Sequence, residues 1–129
     1  MKDDALTKVA ENDRFAAYTG IKLVKAIPGY ALTRLEVQDK HLNGVDFVQG
    51  GAIFTLADFA FAAASNAAGF PTLGINAAIS YIKGPRGKVI TAEAKEVSAT
   101  NRLCTYEVAV YDEDGQTVAK MLATGYIKK

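Results

Sequence analysis

Side chains from Tyr30 to Val37 sort into two alternating sets, Tyr30, Leu32, Arg34 and Glu36 against Ala31, Thr33, Leu35 and Val37. That period of two is the mark of a half-buried strand. Ile21 to Ile27 is also strand-like, and Pro28-Gly29 between the two segments is a turn signal, so the pair predicts a hairpin. Ahead of it, Leu6, Val9, Ala10 and Phe15 recur near a helical period. They predict a helix from about Asp4 to Ala17, with Asp3 or Asp4 as N-cap and Gly20 as its end. His41 to Gln49 has no periodicity and reads as loop. From Gly50 to Ala68 the chain is rich in alanine and leucine and has no proline, which predicts a helix; Gly69 stops it, and Pro71 follows as expected past a C-terminus.

The remainder is β-like. Leu73–Ile82 is broken by Gly84-Pro85-Arg86-Gly87, and Val89–Ser98 alternates small or apolar residues with Thr91, Glu93 and Lys95. Leu103–Tyr111 runs into Asp112-Glu113-Asp114-Gly115, a hairpin turn, and Val118–Ile127 closes the chain. The order is helix, two strands, one long apolar helix, then three or four strands. It predicts an α+β domain spanning residues 1–129, with an antiparallel sheet packed on that helix. The alanines at 52, 57, 60, 62, 63, 64, 67 and 68 would let the sheet come close and wrap it.

Composition narrows the function. Half of the 129 residues are apolar, enough for a core, and the net charge of +1 is spread rather than clustered, against nucleic-acid or membrane-surface binding. The single cysteine, Cys104, excludes an internal disulfide framework and fits a reducing compartment; on a strand it reads as a small packing residue. The first residues, MKDDALTKVAENDRF, are acidic and lack the apolar stretch of a signal peptide. The run from Gly50 to Gly69 is short for a membrane span and contains Asp58, Ser65 and Asn66, so a core helix is expected. A soluble cytoplasmic protein is the expectation.

Within that apolar run the one ionisable group is Asp58. A buried carboxylate without a partner costs several kcal/mol, so Asp58 is expected to be there for chemistry rather than stability. Just before it, HLNGVDFVQGG ends in Gly50-Gly51 at the predicted helix start. Backbone N–H groups there, followed by one acid, suit a small-molecule site.

The motif H-L-N-G-x4-Q-G-G, followed by FTLADFAFA with its single acid, resembles the hotdog-fold acyl-CoA thioesterases. The closest resemblance is to the PaaI-like branch of the 4-hydroxybenzoyl-CoA thioesterase superfamily. It extends along nearly the whole chain and includes A-I-S-Y-I-K-G-P-R-G. The resemblance implies an antiparallel sheet wrapped around one long helix. It also implies hydrolysis of an aryl- or medium-chain acyl-CoA to free acid and CoA, with no cofactor and no metal. The sites would lie at a homodimer interface, with a homotetramer built from two dimers.

In that scheme the Gly50 N–H polarises the thioester carbonyl, and Asp58 acts as general base or as nucleophile. Asn43 positions Gln49 or the substrate. Gln49 stands where many relatives have histidine; its amide can donate a hydrogen bond but cannot relay a proton. This departure keeps open a second reading, a hotdog protein that binds acyl thioesters without turning them over.

Helix geometry adds its own constraint. Gly50 and Asp58 are eight residues apart, about 12 Å along one helix, so one carbonyl cannot touch both unless they come from different subunits. Gly51, Thr55 and Asn76 are candidate substrate contacts, Thr55 by bonding Asp58 one turn away and Asn76 by orienting water. Lys83, Arg86 and Lys88 around Gly84-Pro85, together with Asn101 and Arg102, are the candidate CoA contacts. Phe54, Phe59, Phe61 and Tyr81 could line an acyl pocket or belong to the core. His41, the only histidine, lacks metal-ligand company and reads as a loop residue.

Overall fold

The computed structural model describes residues 10–129. Its elements are α1 (Arg14–Thr19), β1 (Ile21–Ile27), β2 (Tyr30–Glu36), a 3-10 turn (Asp39–His41), α2 (Gly50–Asn66), β3 (Thr72–Tyr81), β4 (Val89–Ala99), β5 (Leu103–Tyr111) and β6 (Thr117–Ile127). The strands form one sheet in the order β1-β2-β4-β5-β6-β3, with every neighbouring pair antiparallel. The sheet wraps α2, the hotdog arrangement that the motif implies.

The alternation in β2 resolves as expected. Ala31, Thr33 and Leu35 are fully buried against the helix, and their alternates face outward. Opposite them, Leu56, Ala57, Ala60 and Ala64 of α2 are likewise sealed. Small side chains on this face bring helix and sheet close enough for the Thr33 hydroxyl to donate to the Leu56 carbonyl at 3.3 Å. Further along, Phe61 packs edge-on against Tyr106 of β5, with ring centroids 5.4 Å apart.

The first helix departs from expectation. Asp3, Asp4 and the first six positions of the expected helix, 4–9, lie outside the described residues. Within them the helix is interrupted at Asn12, and Asp13 caps a new one by accepting the Ala16 N–H at 2.9 Å. The asparagine-aspartate pair competes with the helical backbone and starts a fresh helix instead of continuing the old one. Gly20 ends it in the left-handed conformation, at φ 97°.

One feature of the sheet bears on the site. β3 occupies an edge, and its pairing with β6 shifts between Gly74 and Asn76, leaving a bulge at Ile75. Leu73 and Ile75 are 61% and 59% exposed there. No helix among the described residues is long and apolar enough to cross a membrane.

Candidate active site

The loop before α2 is built by its own side chains. The Asn43 Oδ1 accepts the N–H of Val45 at 2.9 Å and of Phe47 at 3.1 Å, which folds the motif back on itself. The Gln49 N–H then reaches the His41 carbonyl at 2.8 Å. His41 is buried, and both ring nitrogens are engaged: Nδ1 accepts from the Gln38 N–H at 2.9 Å, and Nε2 donates to the Thr19 carbonyl at 2.6 Å. That pair fixes the tautomer and leaves the ring no lone pair for catalysis.

Gln49 is the N-cap of α2, its Oε1 accepting the Gly51 N–H. The first free donor at the helix start is therefore the Gly50 N–H, which has no partner among the described residues. On its other side the Tyr81 hydroxyl, at the end of β3, donates to the Gly50 carbonyl at 3.2 Å. A Cβ at position 50 would lie 3.3 Å from the Tyr81 ring, so the close approach of this tyrosine favours glycine. Tyr81 is thus a brace for the helix start. Gly50, Tyr81, Lys83, Gly84 and Pro85 all line a pocket of about 330 Å³.

Asp58 lies elsewhere. Contrary to expectation its side chain is exposed in the subunit, because position 58 falls on the outward stripe of α2 with Gly51, Thr55 and Ala62. It opens into a second pocket of about 330 Å³, walled by Phe54, Phe61 and Ile75, with Asn76 beside it. The carboxylate makes no hydrogen bond among the described residues. Loss of part of its water shell to these walls, and secondarily the negative charge of Asp13, raise its pKa above the ordinary 3.8.

Thr55 does not hold Asp58. Its hydroxyl donates to the Gly51 carbonyl at 2.7 Å, the usual local alternative for a helical threonine. Thr55, Gly51 and Gln49 instead face a third cleft of about 650 Å³ shared with Phe15 and Tyr18 of α1. Of the aromatic candidates, Phe59 is buried in the core, whereas Phe54 and Phe61 reach the Asp58 pocket.

The expected CoA contacts divide into two groups at opposite ends of β3. Lys83, just past its end, bonds Asp112 at 3.2 Å and Gln116, so its ammonium is already committed. The Arg86 and Lys88 side chains are exposed and free of partners among the described residues. Near the start of β3, Arg102 donates to the Tyr126 hydroxyl at 2.9 Å, and Asn101 accepts from Lys129 at 3.1 Å. Tyr126 pairs with Leu73 of β3, which puts Asn101 and Arg102 toward the Asp58 end.

Residues 46–119 match the model of the thioesterase superfamily. The chain belongs to that family. This thioesterase is 31% identical over 110 residues to the acyl-coenzyme A thioesterase PaaI of Escherichia coli K12, covering 84% of this chain and 79% of the relative. The structure of the E. coli PaaI protein superposes on it with a TM-score of 0.93 at 25% identity, over 99% of this chain and 94% of the other. The structure of smu.793 from Streptococcus mutans, bound to acetyl CoA, matches at TM-score 0.80 and 27% identity, over 84% and 89% of the two chains. The chain is thus a PaaI-like hotdog thioesterase, a thioester hydrolase.

Sequence reasoning named Tyr81 only as a candidate for an acyl pocket or the core, not as a brace, and it did not single out the buried Asp112. Asp112 had a readable signal. An aspartate opening D-x-x-G between two strands uses its carboxylate to hold the turn's own N–H groups.

Proposed function

We propose that this thioesterase hydrolyses acyl-CoA, taking an aryl or medium-chain acyl group, at two equivalent sites across a homodimer. The observation that carries the reading is the separation of its two reactive groups. The free Gly50 N–H and the Asp58 carboxylate occupy different pockets of one chain. They flank opposite ends of β3, an open and largely apolar edge. Antiparallel pairing of β3 with a second copy sets the start of one strand beside the end of the other. The Asp58 pocket of one subunit then meets the Gly50 pocket of its partner.

In this arrangement the thioester carbonyl accepts the Gly50 N–H at the positive end of α2, which stabilises the oxyanion. Asp58 of the facing subunit takes a proton from water as the water oxygen attacks, or attacks the carbonyl itself. On the first route the C–S bond breaks as the free acid forms, and the proton taken by Asp58 passes to the departing thiolate of CoA. On the second the thiolate leaves as an acyl-Asp58 anhydride forms and takes its proton from water. A water molecule then hydrolyses the anhydride to free acid and restores the carboxylate. The raised pKa brings Asp58 nearer to useful basicity at neutral pH. The apolar walls of Phe54, Phe61 and Ile75 suit an uncharged acyl group. The acetyl CoA bound to the S. mutans protein supports CoA as the carrier.

Complementation between subunits tests this. Gly50→Pro removes the N–H at a position where proline suits the first helical turn, and Gln49, at φ −67° and ψ 136°, already has the extended backbone that a residue before proline prefers. Gly50→Pro and Asp58→Asn are each expected to be inactive on a CoA ester. Refolded together, they should regain about a quarter of wild-type activity, because mixed dimers hold one intact site. No recovery would place both groups in one subunit's site.

A further inference from the structure

The Lys83–Lys88 loop was expected to offer its cations to the phosphates of CoA, but the structure gives them two different tasks. Lys83 is turned inward. Its ammonium sits 3.2 Å from the Asp112 carboxylate, which is itself sealed from solvent, and also bonds Gln116. Arg86 touches the same carboxylate only through its backbone, its N–H donating to Asp112 Oδ2 at 3.1 Å. The other carboxylate oxygen accepts the N–H of Asp114 at 3.0 Å and of Gln116 at 2.9 Å. Glu113 adds a second tie, its Oε1 accepting the Lys88 N–H at 2.9 Å.

One buried carboxylate on the β5–β6 turn therefore fixes the course of the β3–β4 loop. The consequence reaches the active site in two ways. Lys83, Gly84 and Pro85 wall the pocket that holds Gly50. The main-chain anchor at Arg86 leaves its guanidinium exposed in solvent, without a partner among the described residues. A guanidinium of this kind suits phosphate, which it can grip with two parallel hydrogen bonds.

We propose that Asp112 is a positioning residue for the CoA half of the substrate: it locks Lys83 and the Arg86 backbone so that the Arg86 guanidinium meets the phosphates of the nucleotide. The proposal rests on the acyl-CoA reading above. It assigns Lys83 to the scaffold and Arg86 to the ligand.

The test compares one acyl group on two carriers, CoA and N-acetylcysteamine, which keeps the thioester but lacks the phosphates. Asp112→Asn is expected to lower kcat/KM for the CoA ester about tenfold, mainly through KM, and to leave the N-acetylcysteamine ester within about twofold. Arg86→Ala, at an exposed position that does not endanger folding, should show the same selective loss. Equal losses on both carriers in Asp112→Asn would make Asp112 a fold residue only and overturn the proposal. An unchanged KM for the CoA ester in Arg86→Ala would overturn it as well, even if Asp112→Asn does not fold. If the wild type hydrolyses neither ester, the acyl-CoA reading itself fails, an outcome distinct from either of these.

Discussion

Asp58 and Asp112 are the same side chain in opposite surroundings. Asp112 is sealed from water, yet it has a hydrogen-bond partner on every side. Burial on its own would raise its pKa; the N–H groups of Arg86 and Gln116 and the Lys83 ammonium outweigh that and hold it at about 2. Asp58 lies on an exposed helix face with no hydrogen-bond partner among the described residues, and the apolar walls around it raise its pKa. The satisfied acid stabilises the chain and does no chemistry. The unsatisfied acid, its pKa raised, is the one to which the proposed mechanism gives the chemistry. Partners, more than depth, separate a structural carboxylate from a reactive one.

The contrast can be broken at either residue. The largest effect is expected at Asp58. Asp58→Asn should lower kcat by about a thousandfold, the range of a lost general base, while the Tm holds or rises slightly because a desolvated charge is gone. Retained activity would dissolve the distinction between the two acids. Asp112→Asn should show the reverse on N-acetylcysteamine esters, with turnover near wild type and a Tm lower by roughly 5–10 °C, since buried donors lose a charged acceptor. Differential scanning calorimetry beside initial rates decides both.

Acid should separate the two residues without mutation. In the proposed mechanism Asp58 works only when ionised, so activity should fall as the pH drops below its raised pKa, above the usual carboxylate value of 3.8. Asp112 has a folded pKa below its unfolded one. Its contribution to stability is complete above about pH 4 and is lost as the pH falls toward about 2. A pH–rate profile and circular dichroism should therefore show activity lost while the fold persists. The smallest effect is expected at Gln49→Ala, which removes the α2 N-cap and should cost about 1 kcal/mol in denaturant unfolding, with a far smaller change in kcat than Asp58→Asn.

Most of the fold was legible in the sequence because it depends on local signals. The alternation in Tyr30–Val37, Pro28-Gly29 between strands and Gly69 past the helix each act within a few residues, and all lie where they were expected. The exposure of Asp58 was not legible. An alanine-rich helix has almost no polar face, so its sequence does not say which side meets the sheet and which the open edge. The fate of Lys83 was also hidden, since its partner Asp112 lies 29 residues away and only the sheet brings them together. By contrast the bond from Thr55 to Gly51 and the break at Asp13 follow local rules that the chain carries openly. They were obscured by the pull of the larger motif.

The β3 edge has a consequence for the life of the chain before it acts. Its ten residues, TLGINAAISY, include no charge and no proline, the two devices by which sheets commonly protect a bare margin. In the dimer proposed above, a newly made subunit would display that margin until it met its copy. Supply would then govern more than the number of active sites, because a scarce or diluted chain would spend longer with an unguarded strand open to the wrong neighbour. Pairing of two β3 edges, as proposed, would double as protection from aggregation.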